Sequence, residues 1–175
     1  GQNRDNQGLS EYDIAASATA IYFQDPVKML STGTIGVAAA GDALLGAITG
    51  VFFTDASTSK PTFANHLDAS NAATDIKGFV TDDPYERFEI QTNNAGASAT
   101  TDIFNVADIV YAAGSSPDYV SQVELNDSTL AAGSSATLQI LGLSKDPDNS
   151  DVGSANVNWV VRINEHQLDM NVNGV

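Results

Sequence analysis

Apolar and polar residues alternate strictly in two segments of the chain. In residues 87–91 (RFEIQ), Phe88 and Ile90 alternate with charged or polar side chains. In residues 157–163 (VNWVVRI), one face carries Val157, Trp159, Val161 and Ile163. Successive side chains of a strand point to opposite faces, so both segments are predicted to be strands with their apolar side chains turned inward.

Short β-prone runs continue along the chain from residue 19, separated by clusters of Gly, Pro, Asn, Asp and Ser at intervals of roughly ten residues. This spacing is typical of a β-barrel or β-sandwich rather than of alternating strands and helices. For residues 102–110 (DIFNVADIV) the sequence is compatible with two kinds of secondary structure. One is a short helix capped by Asp102, and the other is a strand, which the β-branched residues favour. Further strands are predicted at residues 20–23, 27–31, 44–53, 76–81, 109–112, 119–125 and 136–143.

The pattern therefore predicts an all-β fold with one compact barrel-like or sandwich-like domain at residues 19–168. Residues 1–18 are polar or small, with Leu9, Tyr12 and Ile14 as isolated apolar side chains, and are predicted to form an extended N-terminal arm. Residues 169–175 are predicted to be a C-terminal tail. Because the apolar residues of the arm have no local companions, they are predicted to pack on another chain.

Charge and composition exclude several classes of function. The chain has 175 residues with 7 basic and 22 acidic side chains, a net charge of −15, and a pI near 4.1. A protein this acidic cannot neutralise a row of phosphates. Neither nucleic acid nor an anionic membrane is therefore expected as a partner. The absence of cysteine removes disulfides, thiolate nucleophiles and cysteine-ligated metals. Stability must come from packing, for which the length suffices.

The candidate chemical motifs are weak. Residues 146–151 (DPDNSD) resemble a calcium loop, but Asp151 stands where an EF-hand needs Gly and Val157 where it needs Glu. The adjacent acids Asp82 and Asp83 precede a proline and are predicted to lie in a turn. We therefore expect no catalytic residue, no metal site and no cofactor, and the protein is predicted to be non-enzymatic.

His66 and His166 lie far apart in the sequence and lack metal-ligand spacing, so each is predicted to form hydrogen bonds at the end of a strand. Trp159 belongs to an alternating run and is predicted to lie in the core or in a subunit interface. The aromatic side chains in general are predicted to occupy core positions. The full set of predicted core or interface residues is Phe52, Phe53, Phe63, Trp159 and His166.

Several strand-and-turn phrases occur together in one order along the chain. They are residues 25–28 (DPVK), 50–55 (GVFFTD), 82–84 (DDP), 88–91 (FEIQ), 105–108 (NVAD), 138–143 (LQILGL), 147–149 (PDN) and 159–168 (WVVRINEHQL). In this respect residues 22–168 resemble the decoration, or cement, proteins of tailed-bacteriophage heads. One departure is His66-Leu67, which follows Asn65 where similar proteins are expected to have an aromatic residue.

The resemblance implies a non-enzymatic virion protein, with a β-tulip-like fold as one form of the barrel, on the outer surface of the mature capsid. It implies that a homotrimer at three-fold or quasi-three-fold positions fastens neighbouring copies of the major capsid protein. In that setting the arm is predicted to contact the capsid, so deleting residues 1–16 should weaken attachment and leave folding intact. The predicted capsid contacts are Arg4, Leu9, Tyr12 and Ile14.

Two alternatives stay open. Another structural component of the virion, from the capsid or the tail, would assemble into shells or tubes without a partner. A glycan-binding or surface-binding β domain would need an exposed platform of aromatic side chains, which the predicted core positions of the aromatics do not supply.

Overall fold

The computed structural model describes residues 8–16, 18–69, 71–94, 98–133 and 135–169. These residues form an almost entirely β structure with two short 3₁₀ turns, Thr100–Asp102 and Asp127–Thr129. No helix in this part of the chain has the length and apolarity required to cross a bilayer. The strands are β1 (Leu9–Asp13), β2 (Pro26–Met29), β3 (Ile35–Val37), β4 (Gly46–Thr54), β5 (Pro61–Ala64), β6 (Lys77–Thr81), β7 (Phe88–Gln91), β8 (Val106–Ala107), β9 (Ile109–Val110), β10 (Glu124–Leu125), β11 (Leu138–Leu143) and β12 (Asn158–Ile163).

The first sheet has the antiparallel order β1-β6-β4-β2-β3, and β5 pairs with β4. A parallel bridge between Ile14, just after β1, and Ile35 in β3 brings the two ends of this order together, so the sheet curls around its own core. Gly78 faces this core. A Cβ at Gly78 would lie 3.0 to 3.1 Å from the δ1 carbons of Ile14, Ile35 and Ile48.

The second sheet has the order β7-β12-β11-β8, and β9 pairs with β10 beside it. All four alternating residues of the 157–163 segment are buried, which confirms the predicted inward face. Phe88 and Ile90 of the edge strand β7 are only partly buried against the second core. The charged residue between them, Glu89, is exposed, so their inward orientation is as predicted although their burial is incomplete.

Among the described residues, hydrogen bonds join the first sheet to the end of β12 at one place and to the segment before β10 at another. Near the C-terminal end, the Leu44 amide donates to the Glu165 carbonyl (2.8 Å) and the Gln167 amide donates to the Leu44 carbonyl (2.8 Å). The Gln167 side chain also accepts from the Met29 amide (2.6 Å). Around Asp25, the chain bonds to Ile48 of β4 on one side and to residues 119–121 on the other.

The all-β prediction is confirmed, and most predicted strands lie within a few residues of observed ones. In the predicted strands 20–23 and 119–125, only isolated bridges at Ile21, Phe23 and Val120 and the two-residue β10 occur. The open segment 102–110 contains the end of a 3₁₀ turn followed by β8 and β9. The strands β1, β3, β5 and β8 were not predicted as strands.

The prediction of an N-terminal arm that has no partner in its own chain is wrong for residues 9–14. β1 forms a full antiparallel ladder with β6, from Leu9 opposite Thr81 to Asp13 opposite Lys77. Ile14 is 4% exposed within the first core, and the Tyr12 hydroxyl donates to Asp82 (2.7 Å). These side chains are isolated in the sequence because their companions come from distant strands. Arg4 and residues 170–175 of the predicted tail lie outside the described residues.

Candidate interaction surface

The strands β5, β4, β6 and β1 present one continuous outer face, which points away from the first core. Phe63 lies opposite Phe52 in the β4-β5 ladder, and Phe52 lies opposite Lys77 in the β4-β6 ladder. Lys77 in turn lies opposite Asp13 of β1. Directly opposed residues share a face, so these four side chains form a row across the sheet.

The neighbouring row is formed by Gly50, Phe79 and Glu11. Gly50 contributes no side chain to this row, and the Phe63 ring lies close to the Phe79 ring. The ring centroids of Phe63 and Phe79 are 6.4 Å apart with planes inclined at 17°, and those of Phe52 and Phe63 are 4.8 Å apart at 49°. These separations are within the range of favourable aromatic pairs.

Phe63 is 74% exposed, although it belongs to a regular strand and packs on two other rings. Covering a phenylalanine side chain completely gains about 1.5–3 kcal/mol, so this exposure is unfavourable unless another molecule contacts the ring. A rigid sheet that displays clustered aromatic side chains is typical of a contact surface. We call this surface the outer aromatic face and define it by Phe52, Phe63, Phe79, Lys77, Glu11 and Asp13.

A charged group borders the rings on the β1 side. The Lys77 ammonium contacts Asp13 Oδ1 at 2.7 Å and Glu11 Oε1 at 3.5 Å. The hydrogen bond to Asp13, followed by the charges of both acids, raises the pKa of Lys77. With one cation and two carboxylates, the group carries a formal charge of 1 − 2 = −1.

Two cavities are lined mainly by apolar residues. The first, about 250 Å³, lies between the sheets, with walls from Pro26, Leu44, Phe88 and Ile163 and a rim that includes Glu89. The second, about 490 Å³, lies beside the first sheet and is lined chiefly by small and aliphatic residues of segments 18–21 and 30–39. Neither brings together a set of acids and histidines, and no such metal-binding group occurs anywhere in the described residues.

Some buried polar atoms lie away from the outer aromatic face. Asp25 is fully buried; its Oδ2 accepts from the Tyr22 amide (2.8 Å), and Oδ1 has no hydrogen-bond partner among the described residues. Burial raises the pKa of Asp25, opposed by the Ser121 side chain and the Tyr22 amide. Burial, reinforced by the charges of Asp25 and Tyr22, raises the pKa of Tyr111 to about 12.

The histidines occupy different environments. His166, one of the predicted core or interface residues, is buried, and burial lowers its pKa. Its Nδ1 accepts a hydrogen bond from the Leu168 amide (3.1 Å). His66 lies at the end of β5, and its ring stacks on Tyr119 with centroids 3.8 Å apart and planes inclined at 9°. His66 Nδ1 is 2.8 Å from Asn65 Oδ1.

The weak chemical motifs are structural turns. In the 146–151 loop, the Asp148 amide donates to the Asp146 side chain (3.1 Å), and Asp151 accepts from the Ser154 hydroxyl. Asp82 is buried beneath Tyr12, whereas the Asp83 side chain accepts from the Tyr85 amide (2.9 Å) within the predicted turn. The two adjacent acids therefore have separate structural roles.

The predicted core or interface residues divide into two groups. Phe53, Trp159 and His166 are buried, whereas Phe52 is partly exposed and Phe63 is on the surface. Three aromatic residues are exceptions to the expectation that most aromatics occupy core positions, because each is at least 71% exposed: Phe63, Tyr85 and Phe104.

Phe79 was missed by the sequence analysis. Its position between the buried Gly78 and Val80 was the available signal, since alternation along β6 turns Phe79 outward. Its proximity to Phe63 depends on the pairing of β4 with β5 and β6, which the local pattern does not reveal.

Comparison with protein-family models, with curated proteins and with solved structures finds no match to this chain.

Proposed function

We propose that the protein is a non-enzymatic virion component that attaches to the outer surface of a mature tailed-phage capsid and bridges copies of the major capsid protein. The observation that carries this proposal is the exposed ring of Phe63, which packs beside Phe52 and Phe79 on a regular sheet. Such a surface is suited to contact with another protein. The order of strand-and-turn phrases along the chain supports the choice of a phage head as the partner.

The proposed mechanism is stabilisation by binding across a junction. A ligand that binds only the intact shell stabilises that shell by mass action. Apolar contact gains about 25 cal/mol per Å² of buried area, so a small contact made by one subunit is weak. A homotrimer engages three linked contacts at once, which raises the overall affinity strongly above that of one contact.

The test is mass photometry of the purified protein with and without empty, expanded heads of the phage that encodes it. We expect a small oligomer alone and a mass increase of the heads on mixing. Phe63→Ser should reduce occupancy at least tenfold because its loss is repeated in each linked contact. Tyr85→Ser is the matched control, since Tyr85 is 82% exposed and lies outside the outer aromatic face.

Heads that gain no mass from the unsubstituted protein would contradict the proposal. Shells or tubes formed by the protein alone would instead indicate a capsid or tail component.

A glycan-binding β domain is a second candidate, favoured by the same exposed ring, because sugars pack their apolar faces on aromatic side chains. The carboxylates of Glu11 and Asp13 lie on the same face, three strands away from Phe63, and can accept hydrogen bonds from sugar hydroxyl groups. A glycan array distinguishes the two functions. Specific glycan binding that Phe63→Ser abolishes, together with absent head binding, would favour this candidate.

A further inference from the structure

We propose that the outer aromatic face binds an extended, apolar segment of a partner protein that carries an arginine. This inference deepens the proposed function by giving the chemistry of the partner, and it rests on that function for the assignment of the face as the attachment surface.

The rings define the apolar half of the contact. Phe63 is 74% exposed and flanked by Phe52 and Phe79, so an aliphatic side chain laid against it would contact several rings together. Gly50, opposite Phe79 in the ladder of β4 with β6, adds no side chain to this part of the face. An aliphatic anchor therefore fits this half better than a polar one.

The charges define the other half. The side chains of Glu11 and Asp13 are 52% and 61% exposed, and Lys77 contacts one oxygen of each carboxylate. A carboxylate has two acceptor oxygens, so each acid retains capacity for a further donor. The local charge of −1 and the net charge of −15 both favour a cationic partner.

Arginine fits this site better than lysine does. Phe79 lies directly opposite Glu11 in the sheet, which places an aromatic ring beside a carboxylate. A guanidinium can stack on a ring and donate two parallel hydrogen bonds to a carboxylate, whereas an ammonium is a point charge without a planar face.

Strand spacing sets the length of the segment. The face spans β5, β4, β6 and β1, which are three strand separations of about 4.8 Å, or about 14 Å in total. An extended chain advances about 3.3 Å per residue, so about five residues cross the face, and alternate side chains point towards it. The aliphatic anchor and the arginine are therefore expected at positions i and i+4.

A second copy of this chain is a poorer occupant. Pairing two copies through this face would bring together two charged groups of −1 each and two chains of −15 each. Like charges placed opposite each other disfavour an interface.

The test uses the full chain and synthetic peptides as probes. Acetylated, amidated Leu-Thr-Leu-Thr-Arg is titrated into ¹⁵N-labelled protein, with versions ending in Lys, Gln or Glu for comparison. We expect amide shifts at Phe52, Phe63, Phe79 and Glu11, and affinities in the order Arg, Lys, Gln, Glu. Phe63→Ser should weaken the Arg peptide about tenfold, a loss of about 1.4 kcal/mol, and Tyr85→Ser should leave its affinity unchanged.

A charge variant tests the arginine separately. Glu11→Gln combined with Asp13→Asn should abolish the preference for the Arg peptide over the Gln peptide, while the spectrum of the variant reports that the fold is retained. Equal binding of the Arg and Glu peptides, shifts elsewhere on the protein, or no shifts would overturn the inference. Concentration-dependent broadening at this face without peptide would overturn it in favour of a second copy, and glycan binding there would overturn it in favour of a sugar.

Comparing peptide binding with attachment to heads separates a failure of this inference from a failure of the proposed function. Peptide binding without attachment to heads would contradict the proposed function alone. Attachment to heads that Phe63→Ser reduces, together with absent peptide binding, would contradict this inference alone.

Discussion

Asp25 holds a carboxyl group in a place that water does not reach. Its backbone carbonyl accepts from Ile48 of β4, and its side chain accepts from Tyr22, so the residue lies where the first sheet meets the segment around Tyr119. Burying an ionised carboxylate is unfavourable when its oxygens are incompletely paired. The fold therefore disfavours ionisation of Asp25 relative to the unfolded chain, which raises the pKa of this carboxyl group.

Asp25→Asn is expected to change how stability depends on pH. The folded pKa of Asp25 is raised above the unfolded value of about 3.9, so its stabilising contribution is complete below that pH. That contribution is lost as the pH rises through the folded pKa. The free energy of unfolding is measured with urea between pH 2 and 8. The value for Asp25→Asn minus that for the unsubstituted protein should therefore increase as the pH rises.

Asp55→Asn is the control for this measurement, with the opposite sign. Hydrogen bonds from the Ser57 and Thr58 side chains and from the Thr58 amide lower the pKa of Asp55 to about 2. Its contribution is present above about pH 3.9 and is lost as the pH falls through about 2. A difference curve for Asp25→Asn that is flat, or that slopes like that of Asp55→Asn, would contradict the assignment.

Single residues were predictable where alternation was strict and unpredictable where distant segments meet. The burial of Trp159 follows from its place in an alternating run. The same rule separates Phe52 from Phe53, because neighbours on a strand face opposite sides. The burial of Asp25 could not be predicted, since it depends on contacts with Ile48 and Ser121 that no local pattern contains.

At the scale of the element, β4 holds the first sheet together because it pairs with β2, β5 and β6. Its first residue, Gly46, leaves no room for a side chain: a Cβ there would lie 2.0 Å from the Thr81 carbonyl oxygen and 2.9 Å from Val80 Cγ1. The backbone of β6 would have to move to admit it.

Gly46→Ala is therefore expected to destabilise the protein by about 1–3 kcal/mol or more, the usual effect of overpacking. The matched control is Gly142→Ala in β11, where a Cβ would meet nothing within 4 Å. That substitution should change stability by about 0.5 kcal/mol or less. Chemical denaturation of both variants checks the difference, and equal stabilities would show that β4 and β6 are not in this close contact.

The strand β1 gives a second prediction at this scale. The sequence suggested that deleting residues 1–16 would leave folding intact. The structure predicts instead that the deletion destabilises the fold, because it removes the ladder with β6 and the buried Ile14. Ile14→Ala alone should lower the free energy of unfolding by about 2–5 kcal/mol. Glu11→Ala, on the exposed side of the same strand, should have a much smaller effect; a deletion variant as stable as the full chain would contradict this account.

Elements were predictable when their apolar pattern extended over five or more residues. β3 and β5 were missed because each has only three or four residues, and their partners β2 and β4 define them. β1 was missed because its sequence, LSEYD, has few apolar residues, and its hydrogen-bond partners come from β6, which is distant in the sequence. The candidate surface combines β1 with β5, so it could not be assembled from the sequence.

For the whole molecule, the net charge sets a condition on assembly. Three copies would carry a formal charge of 3 × −15 = −45, so neighbouring trimers on a shell would repel one another. Salt at physiological concentration limits this repulsion to about 8 Å. The proposed attachment should therefore depend on ionic strength in two opposing ways, through repulsion between copies and through attraction to a cationic partner.

We expect repulsion to dominate on a fully decorated shell, so decorated heads should lose the protein faster when seawater-like salt is diluted to a few millimolar. Sedimentation of the heads followed by quantification of the released protein measures this loss. Sparsely decorated heads are the control, because their copies are far apart and should be retained at low salt. Equal occupancy at both salt concentrations on full shells would contradict the expectation.

The hydrogen bond between Met29 and Gln167 joins residues 138 positions apart in the sequence. The ladder of β1 likewise cannot form until β6 is available. During synthesis on the ribosome, the edges of the first strands therefore have no pairing partner. The hydrogen bond between Met29 and Gln167 cannot form until almost the whole chain has emerged. Such late closure slows folding and exposes strand edges to neighbouring chains. Slower synthesis at reduced temperature should accordingly increase the fraction of newly made protein that remains in solution.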